Sequence, residues 1–231
     1  MASGNSRIGA SQPVEVNRSN LSSDELSSVV KQHTHDLRNA LNGVSVDLAL
    51  IGETTDETDR LAAVGRLRNG IKCIELLIRT FNAKFVAEGP SYVTVADATE
   101  RWKADAKCLL PWRSLTWEAG KKEGVIRVQP ELFRSVLNEL LVLSSKCTQQ
   151  DSIGATCRLS DTSASFETAI VRVNANQSTR MESLGVLWSM LARMAASCGA
   201  ELAAPADGPD GRTHHRIVIP LVRDLNRANF A

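Results

Sequence analysis

Aromatic residues are scarce in this chain of 231 residues, at 4% with a single tyrosine, so any core it builds is aliphatic. The five cysteines (Cys73, Cys108, Cys147, Cys157 and Cys198) include no C-x-x-C pair. An odd, scattered set fits reduced cytoplasmic thiols and excludes both a disulfide framework and a thiolate metal site. No stretch approaches the roughly 20 apolar residues that span a bilayer, and the polar opening MASGNSRIGASQPVEVNRSN has no apolar signal centre. A net charge of +1 gives no reason to expect nucleic acid or an anionic membrane as partner. There is no phosphate-binding P-loop and no serine nucleophile elbow. The expectation is a soluble cytoplasmic protein without a sensor segment of its own, so that any signal reaches it through a partner.

Hydrophobic residues are plentiful, at 43%, and their spacing is informative. Residues 1–22 read as a flexible lead. Val30, Leu37, Leu41, Val44, Leu48 and Ile51 then occupy a and d positions of a heptad repeat, with Thr34 the one interruption. The Ser22-Ser23-Asp24-Glu25 cluster can cap the start of that helix, and Gly52 ends it. Glu53 to Asp56 form a short polar connection. A second helical pattern runs through Val64, Leu67, Ile71, Ile74, Ile78, Phe81 and Phe85 and stops near Gly89-Pro90. A short connection makes the two helices antiparallel neighbours. Two helices cannot bury a seam on each, so residues 23–90 are expected to pair with a second copy as a dimeric four-helix bundle.

Beyond Pro90 the pattern changes to short alternating strands mixed with helices: strands at Ser91–Val95, Ser114–Glu118, Val125–Val128, Thr156–Leu159, Ser165–Val173, Glu201–Ala204 and His215–Val222, with helices around Arg101–Ala104, from Pro130 onward and from about Met181 to Ser197. The fold class is therefore α+β, with a compact α/β region over residues 91–224 and a tail at 225–231.

The segment His35-Asp36-Leu37-Arg38-Asn39-Ala40-Leu41-Asn42 carries the chemistry. With Leu37 at d and Leu41 at a, His35 falls on the solvent face. Asn39 lies about 40° round the helix at 3.6 residues per turn and shares His35's stripe, Asn42 continues it, and Arg38 flanks it. Imidazole is a good nucleophile near neutral pH. An adjacent carboxylate can hold one ring N–H, leaving the lone pair of the other nitrogen pointing outward, and an amide one turn on can orient a water. His33, two residues earlier, is assigned no role.

The string His35-Asp36-Leu37-Arg38-Asn39 resembles the H-box of the dimerisation and phosphotransfer domain of bacterial two-component histidine kinases. The resemblance implies His35 as phosphoacceptor, Asp36 as its acid/base neighbour and Asn39 at the position used for phosphatase action on a partner receiver. Ala40 departs from the proline often found there. The segment from Val128 to Leu141 is similar to the strand and N-box helix of the kinase ATPase domain, with Asn138 at the first N-box asparagine and Lys146 at a basic position. Leu143 stands where a second asparagine would serve Mg²⁺. Asn174 to Ser178 replace the adenine-contacting Asp-x-Gly-x-Gly loop, and Ser183-Leu184-Gly185-Val186 keeps one glycine of the phosphate loop. Met190 to Leu202 follow the family's closing helix and strand.

The resemblance thus implies an α/β sandwich like a kinase ATPase domain that has lost its nucleotide chemistry. The expected function is histidine phosphotransfer in a bacterial phosphorelay, with response-regulator receiver domains as partners. No cofactor or metal is expected on this chain, and Mg²⁺ is expected on the partner receiver. Two readings compete: a divergent ATP-dependent kinase, and a non-catalytic scaffold or inhibitor with a kinase-like dimer surface. His214-His215 read as a surface pair at a strand start, without metal-ligand spacing nearby. Asp207 to Gly211 form a turn too short for a Ca²⁺ loop, and Lys121-Lys122 a solvated one.

Overall fold

The computed structural model describes residues 23–85, 89–118, 123–171 and 178–222. The expected lead (1–22), tail (225–231), Lys121-Lys122 turn and the positions from Asn174 to Gln177 lie outside the described residues.

The hairpin forms as its heptads require. Helix α1 spans Ser23–Glu53 and α2 spans Glu57–Ala83. The polar connection is closed by Asp56, whose carboxylate accepts from the Thr58 and Asp59 amides at 2.7 and 3.0 Å, satisfying two N–H groups that a helix start leaves free. Val44, expected on the seam, packs against α2 of its own chain: a Cβ added at Gly70 would lie 2.8 Å from Val44 Cγ2, so the helices approach closely because Gly70 has no side chain. Arg66 ties the pair further, donating to Asp47 at 2.7 Å.

Strand β1 (Ser91–Thr94) follows, then helix α3 (Val95–Leu109), strands β2 (Ser114–Glu118) and β3 (Val125–Val128), helix α4 (Pro130–Lys146), strands β4 (Ser152–Leu159) and β5 (Ser163–Ile170), helix α5 (Ser178–Ser197), and strands β6 (Glu201–Asp207) and β7 (Thr213–Pro220). β1 pairs antiparallel with β3, and the other strands form a mixed sheet in the order β2-β4-β5-β7-β6, in which only β2 and β4 are parallel. The fold is α+β, as the alternation of patterns requires. Pro205 falls in the edge strand β6, where the register slips between Ala203 and Ala206, a place where a missing N–H costs least. Gly199, at φ 78°, ends α5 in the left-handed region, with the Ala200 amide donating back to Ala195.

The core lies between the sheet and helices α3, α4 and α5. Trp102, Phe133, Phe166, Leu137, Leu140, Leu141 and Ile217 are all essentially inaccessible. Trp102 meets Trp117 and Phe166 edge-on, and its indole N–H donates to the Leu137 carbonyl at 2.9 Å, so the large ring is buried without stranding its polar atom. Phe133 also meets Phe166 edge-on, so four of the few aromatics stand together in this core.

Two expectations are corrected. β5 stops at Ile170 rather than Val173 within the described residues, while Ser183-Leu184-Gly185-Val186, likened to a phosphate loop, lies in α5 as the helix read from about Met181 has it. The pair His214-His215 is not at the surface: His215 is buried, 3.1 Å from the Ser144 hydroxyl and 4.7 Å from the Trp188 ring, and His214 meets the buried Glu167 carboxylate at 2.9 Å. Alternation places His215 on the helix-covered face of β7 and His214 on the other, where Glu167 pairs with it.

Candidate functional site

The H-box segment sits near the middle of α1. His35 is exposed, with 67% of its side chain accessible, and Asp36 is half-buried at 31%. Asp36 Oδ1 lies 3.5 Å from His35 Nδ1. The Asn39 amide nitrogen Nδ2, one turn on, lies 3.2 Å from the same nitrogen, the placement in which Nδ2 donates to an unprotonated Nδ1. His35 Nε2 has no partner among the described residues and faces outward.

Asp36 and Asn39, both expected beside His35, therefore converge on one ring nitrogen and leave the other free. Whichever oxygen accepts the Nδ1 proton fixes the tautomer whose Nε2 lone pair is available to an electrophile. The two ends of the Asn39 amide exchange by rotation about one bond. With Oδ1 on the ring, Asn39 reinforces Asp36; with the NH₂ on the ring, it opposes it. Asn39 thus meets the imidazole itself and not only a water. Arg38 and Asn42 are exposed on either side of the stripe, and the structure brings neither to His35.

One contact was not anticipated. Gln32, one turn before Asp36, donates from Nε2 to Asp36 Oδ1 at 2.7 Å. The signal was present in the sequence as an amide and a carboxylate spaced i, i+4, a pair that meets on any helix.

Behind this face, α1 and α2 close on α4 and α5 over a small cleft lined in part by Gln32, His33, Asp36, Lys84, Asn138 and Glu139. His33, given no role from sequence, stacks on Phe81 with ring centroids 4.2 Å apart. Burial, with the Lys84 charge, holds its pKa below the ordinary 6.5. Glu139 and Lys84 form an ion pair across the cleft. Burial pushes the Glu139 carboxyl up, but the charge and hydrogen bond of Lys84, with Lys146 and His33, outweigh it and hold the pKa below the ordinary value. On α2, burial pushes the Cys73 thiol up to about 11, which leaves it protonated and unreactive at neutral pH.

Asn138 borders the cleft, but its side-chain N–H is already given to another residue. It is buried and donates to Asp105 at 2.9 Å, and Asp105 also receives two bonds of 2.6 Å from Arg134. The three residues join α3 to α4, with Asn138 Oδ1 left buried and without a partner. Leu143 is likewise in the core, 1% exposed. Among the described residues no helix is long and apolar enough to cross a membrane.

No family model and no curated protein matches the chain. Among solved structures, it is similar to a bacterial phosphotransferase determined at 1.7 Å, with 14% identity and a TM-score of 0.53, over 86% of this chain and 98% of that one. It is also similar to the Acinetobacter baumannii histidine kinase AdeS (11% identity, TM-score 0.44, 81% of this chain and 98% of that one). A third is full-length ShkA in complex with AMPPNP (16%, 0.46, 83% and 46%). At these identities the likeness concerns the fold, and it is the phosphotransferase's fold that the chain shares.

Proposed function

We propose that this chain is a histidine phosphotransferase of two-component signalling, exchanging a phosphoryl group between His35 and an aspartate of response-regulator receiver domains without using ATP. The observation that carries the reading is the exposed imidazole whose Nδ1 is engaged by Asp36 and Asn39 while Nε2 stays open to solvent. A buried or doubly bonded histidine could not meet a donor that is itself a folded protein. Sharing a fold with a solved phosphotransferase is consistent with this.

In the forward step the Nε2 lone pair attacks the phosphorus of an aspartyl phosphate on the docked receiver. The N–P bond forms as the bond to the acyl oxygen breaks, and the receiver's carboxylate leaves as the anion. Nδ1 keeps its proton, and the positive charge that develops on the ring is stabilised by Asp36. Mg²⁺ held by the receiver, outside this chain, would shield the phosphoryl charge. The reverse step returns the group to an aspartate. The working form is a homodimer in the cytoplasm, in which residues 23–90 make the bundle and the α/β region of residues 91–224 serves as support.

The test is His35→Gln, which keeps size and polarity without the nucleophile. It should fold and dimerise normally yet take up no label from a phosphorylated receiver, whereas the wild type acquires an acid-labile, base-stable label. Uptake by the variant would place the acceptor elsewhere.

A further inference from the structure

We infer that Gln32 is a positioning residue for phosphotransfer, its side-chain amide holding the Asp36 carboxylate against His35 Nδ1 and so setting which ring nitrogen is the nucleophile. This rests on the function proposed for His35.

Asp36 stands between two environments. On one side is the exposed imidazole, 3.5 Å from Oδ1. On the other is the cleft that Asp36 also lines, where the Lys84 ammonium and the His33 ring lie. A carboxylate at the mouth of such a cleft can turn inward toward a cation, and nothing in its bond to His35 is short enough to prevent it. The short bond in the chain is that of Gln32, at 2.7 Å to the same Oδ1. Gln32 is itself half-buried in the cleft wall, so its position follows from the packing of the hairpin on α4 and α5 rather than from the helix alone. The order is thus cleft, Gln32, Asp36, His35. It gives the α/β region a way to act on the phosphoacceptor without touching it.

The alternative is that Gln32 and Asp36 merely form an i, i+4 pair that supports the helix. The two roles separate in the state of the ring. With Asp36 accepting from Nδ1–H, the proton sits on Nδ1 and the Asn39 amide, whose Nδ2 stands 3.2 Å from Nδ1, has to turn its oxygen to the ring; without that acceptor, Asn39 Nδ2 donates to Nδ1, which places the proton on Nε2 and removes its lone pair.

The experiment is ¹⁵N NMR of histidine-labelled protein at pH 8.5, where ordinary imidazoles are uncharged, with phosphate uptake from a phosphorylated receiver measured on the same samples. In the wild type the His35 proton should be on Nδ1. Gln32→Leu should move it toward Nε2 and slow uptake roughly tenfold, the scale of one lost bond to a charged group. Gln32→Lys keeps an N–H donor and should restore both. A wild-type proton on Nε2, or a Gln32→Leu variant unchanged in either tautomer or rate, overturns the proposal. So does a Gln32→Leu variant that Gln32→Lys fails to rescue while both retain wild-type helicity and dimerisation. If the wild type takes up no phosphate at all, the function proposed for His35 fails, while the tautomer shift still decides whether Gln32 positions the ring through Asp36.

Discussion

The hairpin and the α/β region are built from the same aliphatic residues and treat them in opposite ways. In α4, Leu137, Leu140, Leu141 and Leu143 are at most 1% exposed, enclosed by the chain's own sheet and helices. In α1, Leu41 is 53% exposed and Leu48 60%, and Ile71 and Ile78 on α2 are exposed as well. The polar groups follow the same division. Asp105 is held by Arg134 and Asn138 in the interior, whereas His35 turns an unpartnered nitrogen to solvent. One region is finished and the other is not. An element whose packing is incomplete within its own chain can serve other chains, in its apolar stripe as a second copy and in its polar stripe as a docking receiver.

The hairpin half of that contrast breaks with the largest effect. Replacing Leu41 and Leu48 by Asp places four carboxylates in the expected dimer interface, which should weaken association by about 5 kcal/mol or more, over a thousandfold in Kd. Since both side chains are exposed within the chain, helicity should persist in the monomer. Leu48 is a better site than Val44, which packs beside Gly70 of its own hairpin. Sedimentation velocity at micromolar concentration reads the result, and a wild type that is already monomeric would remove the explanation for the exposed stripe.

The closed half is tested by Arg134→Met. Arg134 gives Asp105 two hydrogen bonds, and without it Asp105 becomes a buried charge with only the Asn138 amide. Breaking such a pair costs about 3–5 kcal/mol, or roughly 10 °C in Tm for a chain of this size. A variant with wild-type Tm would show that Asp105 does not depend on Arg134.

The surface between the two regions responds to pH. The His33 pKa is lowered from 6.5 by burial and by Lys84. Below pH 6.5 the unfolded chain therefore binds a proton that the folded chain takes up only at lower pH. Stability rises with pH through that window, and the contribution of a neutral His33 is lost on acidification. The pKa of Glu139 is lowered from 4.5, so its ion pair with Lys84 survives until the pH falls through the depressed value. Chemical denaturation between pH 7 and 5 should show the loss, and His33→Gln should flatten its share of the slope.

How far these features could be read from sequence differs between the regions for a physical reason. The start of the hairpin and its connection were legible because heptad spacing, a capping Asp56 and a short polar link are local signals, though α2 ends at Ala83 short of the expected Phe85 and Gly89, and His35 and Asn39 share a stripe by helix geometry alone. In the α/β region the order of strands and helices was legible, but their partners were not. Alternation in β7 does not say which face a helix covers, so the burial of His215 against Ser144 and Trp188 depends on residues distant in the chain. The Asp105–Arg134–Asn138 set and the Lys84–Glu139 pair likewise join separate helices. Gln32 is the intermediate case: its bond to Asp36 is local, but its fixed position is not.

The smallest expected effect concerns nucleotide, and it bears on whether the α/β region is finished in function as well as in packing. Leu143 is a core residue, so no metal-binding amide can be supplied there without opening the interior. The Ser183–Val186 segment continues a helix rather than offering a flexible phosphate cradle. Asn138 gives its N–H to Asp105, and the cleft beside it presents Glu139 and Asp36, with its Lys84 already paired, so a polyphosphate would meet negative charge. Each lost or opposed contact to a charged group should cost about 1.5 kcal/mol or more, and three of them move a micromolar site beyond about a millimolar. At a ligand concentration equal to such a Kd, the stabilisation is RT ln 2, about 0.4 kcal/mol, which shifts Tm by about one or two degrees. Mg·ATP at one millimolar should therefore raise Tm by no more than that, and calorimetry should show no saturable heat at tens of micromolar. A shift of five degrees or more, or labelling of His35 from ATP alone, would make the chain a divergent kinase and the α/β region its catalytic half.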